Sequence, residues 1–160
     1  MSIVLARVDN RLIHGQVLEA WIPTTKADCI VVANNDLADA DMRKRLMAAA
    51  VPRGIQVIIE SVENSARFVL APDNSTLRVM VLFASPDDAL QAHVMGLHFA
   101  QLNLGNLHRP QGEHQLGCTV TLDHKDICSL TELETRGVEI NLQCVPSDRQ
   151  RGWRSMMKKK

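Results

Sequence analysis

A chain of 160 residues with 46% hydrophobic and 22% charged side chains has the size and composition of one globular domain, which excludes a disordered, collagen-like or coiled-coil protein. Eighteen Lys and Arg balance eighteen Asp and Glu, so there is no surplus of cations to neutralise a nucleic-acid backbone, and no nucleic-acid partner is expected. Aromatics at 3%, with no Tyr, also exclude base-stacking platforms and aromatic sugar clamps.

The stretch 1–7 has no basic lead-in, and its apolar run is too short for a signal peptide or a membrane span; a cytoplasmic chain without direct membrane insertion is expected. Residues 3–8 read as a buried strand, followed by Asp9-Asn10-Arg11 and a helical stripe of Ile13, Val17 and Trp21 that Pro23 stops. A second strand covers 29–33. Acids Asp36, Asp39 and Asp41 ahead of Arg43, Lys44 and Arg45 suit a helix dipole, with Met42, Leu46 and Ala49 as the buried face and Pro52-Arg53-Gly54 as the stop. A third strand covers 55–60. Ser61 caps a helix with Val62, Ala66, Val69 and Leu70 inward.

The fourth strand, 77–83, carries Val and Leu on both faces, as buried parallel strands do. Ser85-Pro86-Asp87-Asp88 starts a helix: Ser caps, Pro fits the first position and the acids meet the positive end, with Leu90 and Val94 turned inward. A fifth strand spans 100–104 and ends in Gly105-Asn106. Leu116, Cys118, Val120 and Leu122 alternate as a sixth strand, and Asp123 caps a helix that Gly137 terminates. Val138, Ile140, Leu142 and Cys144 alternate with Glu139, Asn141 and Gln143, which predicts a last strand with one wetter face at or near a sheet edge.

Alternating strands and helices predict a three-layer α/β fold: a mainly parallel central sheet, helices on both faces and an antiparallel edge strand. Residues 1–145 form the single domain; 146–160 show no pattern beyond a basic end and read as a frayed or amphipathic extension. Ligand chemistry in such folds gathers beyond the carboxyl ends of the strands, here the loops 9–15, 84–86 and 105–108. Cys29, Cys118, Cys128 and Cys144 have no metal-ligand or C-x-x-C spacing and read as small buried apolar side chains. His93, His98, His114 and His124 likewise predict no metal site, and His108 reads as an exposed loop histidine.

The first loop concentrates chemistry. Arg7, Asp9, Arg11, His14 and Gly15 fall at a strand-to-helix turn, where the N–H groups of the coming helix are unsatisfied. If His14 is a nucleophile toward phosphorus, its imidazole must be neutral. Arg7 and Arg11 disfavour the imidazolium and then stabilise the added charge. Gly15 leaves room for phosphoryl oxygens, and amides near Gly15, Gln16 and Val17 supply donors. Asp9 either holds the second ring nitrogen or pairs with Arg7 or Arg11. Phosphoryl transfer of this kind calls for positioning and charge stabilisation, with no metal or cofactor. A His followed by Gly is also the pattern of a surface turn histidine, and from these residues alone both readings stand.

The string Arg7-Val8-Asp9-Asn10-Arg11-Leu12-Ile13-His14-Gly15-Gln16-Val17 closely resembles the active-site segment of enzyme IIB subunits of the bacterial phosphoenolpyruvate-dependent sugar phosphotransferase system, mannose/fructose/sorbose family. Supporting similarity lies in Ile30-Val31-Val32-Ala33-Asn34, Ser85-Pro86, Asn103-Leu104-Gly105-Asn106-Leu107-His108 and Arg136-Gly137-Val138. The resemblance implies that His14 carries the phosphoryl group on Nδ1, receives it from a phosphohistidine IIA protein or domain, and passes it to a sugar entering through membrane subunits IIC and IID. It further implies that Arg11 and Arg7 assist phosphate binding and docking, and that Ser85 stands in a second loop near the site while also capping its helix. Asn106, where many members have Gly, is similar to the N-acetylgalactosamine-type members. Two alternatives from other classes remain: a regulatory protein switched by phosphorylation of His14 without modifying sugar, and a small-molecule enzyme with a basic loop for an anionic substrate.

Overall fold

The computed structural model describes residues 2–157; the basic end Lys158 to Lys160 lies outside the described residues. β1 (Ser2–Asp9) leads through a loop, a π-helical turn (Val17–Trp21) and α1 (Ile22–Thr25) to β2 (Cys29–Ala33). α2 (Asn35–Ala38) and α3 (Asp41–Ala50) precede β3 (Gln56–Glu60). α4 (Val62–Leu70) and a short turn of 3-10 helix (Pro72–Asn74) precede β4 (Arg78–Phe83), and α5 (Pro86–Val94) precedes β5 (Gln101–Asn106). A short pair, β6 (His114–Leu116) and β7 (Val120–Leu122), is followed by α6 (His124–Thr135), β8 (Glu139–Leu142), β9 (Arg151–Gly152) and α7 (Trp153–Met157).

The main sheet runs in the order β3-β2-β4-β1-β5-β8-β9, parallel throughout except for β8 against β9. This is the three-layer α/β architecture the alternation predicted. All five residues of β2 are buried because helices cover both of its faces. Val17, Trp21 and Leu37 pack on one face with Ile30, Val32, Met80 and Leu82. Residues of α4, α5, α6 and α7 pack on the other with Val8, Val31, Val81, Phe83 and Leu104. The chain therefore leaves β1 over one face and leaves its neighbour β4 over the other, which opens a switch-point crevice beyond their carboxyl ends.

Side-chain caps fix the helix starts near that end. Asn34 accepts from the Leu37 amide at 2.8 Å, Ser85 from the Asp88 amide at 3.2 Å, and Asp123 forms a capping box with Asp126. Asn34 starts a separate short helix, so the segment read as one helix from the Asp36 region is two.

Several expectations differ from the fold. The buried face assigned to α3 is exposed: Met42 and Leu46 are 69% and 65% accessible. Two apolar sets compete on this helix, and docking against the sheet selects Met47 with flanking Ala40 and Val51. Val94 and Leu70 are exposed, and α5 instead turns the small Ala89 and Ala92 and the ring of His93 inward. The sixth strand is two strands, because Gly117 adopts φ 63° and reverses the chain between Leu116 and Val120. β8 pairs in parallel with β5, one position in from the edge, and the antiparallel edge strand is β9. The segment after Pro146, read as a frayed or amphipathic extension, supplies that strand and α7, whose Trp153 is 1% accessible within the core. Of the cysteines only Cys29 is fully buried, its thiol pushed up to about 11 by burial and by Asp28; Cys118 and Cys128 are exposed and Cys144 is half-buried.

Candidate phosphoryl-transfer site

The loop after β1 is a tight turn. The Leu12 amide donates to the Asp9 carbonyl at 2.9 Å, the Arg11 amide to Asp9 Oδ1 at 3.1 Å, and Leu12 takes φ 61° with its side chain buried. A left-handed conformation at a buried Leu costs about 1–2 kcal/mol, offset by the apolar contacts of Leu12 and Ile13 beneath the loop. The Leu18 amide bonds the His14 carbonyl at 3.1 Å. The amides of Gly15, Gln16 and Val17 therefore occupy the first turn, where N–H groups have no acceptor within the helix. The chain is pinned from β5 as well, by Asn10 N to Asn106 O at 2.9 Å and Asn106 Nδ2 to Asn10 Oδ1 at 2.7 Å. Asn106 thus ties two loops together.

Asp9 is fully buried and central. Its Oδ1 accepts from Arg11 Nε at 3.1 Å; its Oδ2 accepts from Arg11 Nη2 at 3.1 Å and Arg7 Nη2 at 3.3 Å, and faces His14 Nε2 at 3.0 Å. Burial alone would raise its pKa, but hydrogen bonds from His14 and Arg11 and the charges of His14 and Arg7 outweigh that and hold it at about 2. An ionised carboxylate only accepts, so Nε2 is the ring nitrogen that donates to Asp9, and in the neutral tautomer this hydrogen bond selects, Nδ1 carries the lone pair. The two roles considered for Asp9, holding the ring and pairing the arginines, coexist. His14 keeps 16% of its side chain accessible and Arg11 45%. Two guanidinium groups against one carboxylate leave a local charge of about +1 beside the His14 ring, apart from any charge on the ring itself.

Arg7, expected to help bind phosphate and dock a partner, is fully buried. It donates to Asn103 Oδ1, to the Gln143 and Cys144 carbonyls at 2.7 and 3.0 Å, and to Gln16 Oε1 at 3.4 Å, and its guanidinium lies 5.0 Å from the Trp21 ring centre. Burial lowers its pKa from the ordinary Arg value, while Asp9 opposes the shift. Arg7 is therefore a floor beneath the loop rather than part of a docking surface. Gln16 Oε1 also accepts from Arg11 Nη2 at 3.1 Å; with its oxygen held by two cations, its amide nitrogen is turned to the other side. Ser85 follows β4, whose Phe83 is in register with Val8, and its hydroxyl caps α5. His108 is exposed, and His93 packs its ring against His98 and Phe99. Among the described residues no cluster of three or more His, Cys, Asp or Glu is placed to hold a metal.

Sequence reading missed Asn103, Gly105, Gln143 and Trp21. A Cβ on Gly105 would overlap the Arg7 guanidinium, and the register between β1 and β5 shifts there between Val8 and Asp9. These partners lie far from Arg7 along the chain, in strands that the topology alone makes neighbours. One signal was present: the polar members of the β8 alternation. Asn141 and Gln143 are buried while Glu139 stays exposed, and Gln143 belongs to the polar bed in which the Arg7 cation lies.

A family model described as the PTS system sorbose subfamily IIB component matches residues 3–160. The sorbose-specific EIIB component of Klebsiella pneumoniae is 36% identical, covering 92% of this chain and 90% of that protein. The mannose-specific EIIAB component of Escherichia coli is 34% identical over 92% of this chain, which spans 46% of that longer protein. The crystal structure of the IIBSor domain of the sorbose permease from Klebsiella pneumoniae superposes with a TM-score of 0.94 at 34% identity, covering 100% of this chain and 98% of that one. With a family match over nearly the whole chain, a shared backbone and the resembling loop folded around a carboxylate-held histidine, the chain belongs to the sorbose-subfamily IIB components of the sugar phosphotransferase system.

Proposed function

We propose that this chain is a cytoplasmic phosphocarrier in which His14 Nδ1 attacks the phosphorus of a phosphohistidine on a IIA protein, taking the phosphoryl group as the donor P–N bond breaks. The Nδ1–P bond then breaks as a hydroxyl oxygen of a sugar entering through membrane subunits IIC and IID bonds to phosphorus, the hydroxyl proton passes to solvent, and His14 returns to its unphosphorylated form. The observation that carries the reading is the Asp9 to Nε2 hydrogen bond at 3.0 Å, which leaves Nδ1 as the nucleophilic nitrogen. Arg11 and the amides of Gly15, Gln16 and Val17 stabilise the phosphoryl oxygens. Arg7 acts through Asp9 and Gln16, and Ser85 fixes the neighbouring loop as a helix cap. The fused mannose-specific EIIAB relative supports a IIA donor by its name. Among the described residues no helix is long and apolar enough to cross a membrane, so the membrane step is assigned to partner subunits. No sugar is proposed, since the sorbose and mannose relatives stand at 36% and 34% identity.

The test is incubation with phosphoenolpyruvate and the upstream carrier proteins. Acid-labile, base-stable phosphate is expected on the native chain and none on His14→Ala; equal uptake by that variant overturns the reading. Sugar phosphorylation by membranes reconstituted with IIC and IID then separates transport from a purely regulatory role.

A further inference from the structure

Gln16 stands at the start of the helical turn Val17–Trp21, yet its side chain makes no cap hydrogen bond there, unlike Asn34, Ser85 and Asp123 at their helices. The carboxamide turns instead to the two arginines: Oε1 accepts from Arg11 Nη2 at 3.1 Å and from Arg7 Nη2 at 3.4 Å. Arg11 grips Asp9 as a fork through Nε and Nη2, and Nη2 directs its second hydrogen to Gln16. The guanidinium plane is thus held from two sides, and among the described residues the N–H groups on Nη1 have no partner. Arg11 is 45% accessible, so each anchor limits how far it swings into solvent.

Holding two guanidinium groups does not by itself call for an amide. A Glu side chain has the same reach and makes stronger, charge-assisted bonds to both. Its charge would, however, set two carboxylates against two guanidinium groups and cancel the local charge of about +1 beside His14. We infer that Gln16 is a charge-sparing positioning residue: its neutral oxygen fixes Arg11 against Arg7 and leaves their surplus positive charge to the phosphoryl group on His14. The inference rests on the phosphocarrier reading above and adds to it a reason for an uncharged acceptor between two cations.

The experiment compares Gln16→Glu and Gln16→Met with the native full chain, by the rate of phosphate uptake on His14 from the phosphorylated carrier proteins and by urea unfolding at neutral pH. Gln16→Glu is expected to match or exceed the native urea midpoint while uptake slows roughly tenfold or more, because the positive charge beside the transferring group is cancelled. Its rate should also depend less on salt than the native rate, since attraction for an anionic group is weaker. Gln16→Met keeps the length and the neutrality but removes the acceptor. Its kcat for uptake is expected to fall roughly threefold to tenfold, with KM for the phosphorylated donor within about threefold, because the charge that draws the donor is unchanged. Native rates in either variant, or a native salt dependence in Gln16→Glu, overturn the inference. So does a loss of stability that accounts for the loss of rate, since Gln16 would then be structural. Absence of phosphate on the native chain overturns the function proposed above, whereas uptake by the native chain with both variants unaffected overturns this inference alone.

Discussion

Held ionised down to pH about 2, Asp9 compensates Arg7, anchors Arg11 and fixes the tautomer of His14. Its folded pKa lies below the ordinary 3.8, so its contribution, roughly 2 kcal/mol, is present above pH about 4 and is lost as pH falls toward 2. Asp9→Asn is expected to remove this acid limb from a urea-midpoint profile against pH. At neutral pH it should cost about 3–5 kcal/mol, since Arg7 then lies buried without a counter-charge. An amide presents either oxygen or nitrogen to the imidazole, so phosphate uptake should also slow in whatever fraction stays folded. Arg11→Ala separates these effects. Arg11 is partly exposed, so stability should stay within about 1 kcal/mol of native while the rate of phosphate uptake falls. Equal losses of rate and fold would show that Arg11 is structural.

At the scale of elements, the meeting of β1 and β5 decides whether the loop can form. Gly105 leaves the space the Arg7 guanidinium fills, and Thr119 Oγ1 holds the Gly105 carbonyl at 2.9 Å from the β6–β7 side. Gly105→Ala forces the guanidinium or the β5 backbone to move; a loss of about 1–3 kcal/mol is expected by urea unfolding, with slower phosphate uptake as Asp9 shifts. A variant as stable and active as the native chain would show that Arg7 has room elsewhere. The caps Asn34, Ser85 and Asp123 were legible because capping is local chemistry, satisfied within three residues. The buried face of α3 was not, because two apolar stripes share one helix and only the neighbouring sheet chooses between them.

For the whole molecule, a formal charge of zero coexists with a positive loop at the carboxyl ends of β1 and β5, where Arg7 and Arg11 outnumber Asp9. A small basic site on a neutral body favours steered, brief encounters with a phosphorylated protein over tight binding. The tail is part of the body: Trp153 fills the core beneath α6, and Arg154 pairs with Glu134 at 2.8 Å. Trp153→Ala is expected to lower stability by about 3–5 kcal/mol in urea unfolding, with β9 released from β8; a change below about 1 kcal/mol would show that the tail is dispensable.

The sequence by itself determined the alternation of strands and helices, the caps, and the loop with His14, since each depends on periodicity or on chemistry between near neighbours. It did not show that Arg7 is a buried floor or that Asn141 and Gln143, polar residues of the last alternation, are buried. Nor did it show that a pattern-free tail closes the sheet. Only the tertiary structure decided these, because a charged side chain is stable inside a protein when acceptors from distant strands converge on it, and which strands are neighbours is a property of topology rather than of local sequence.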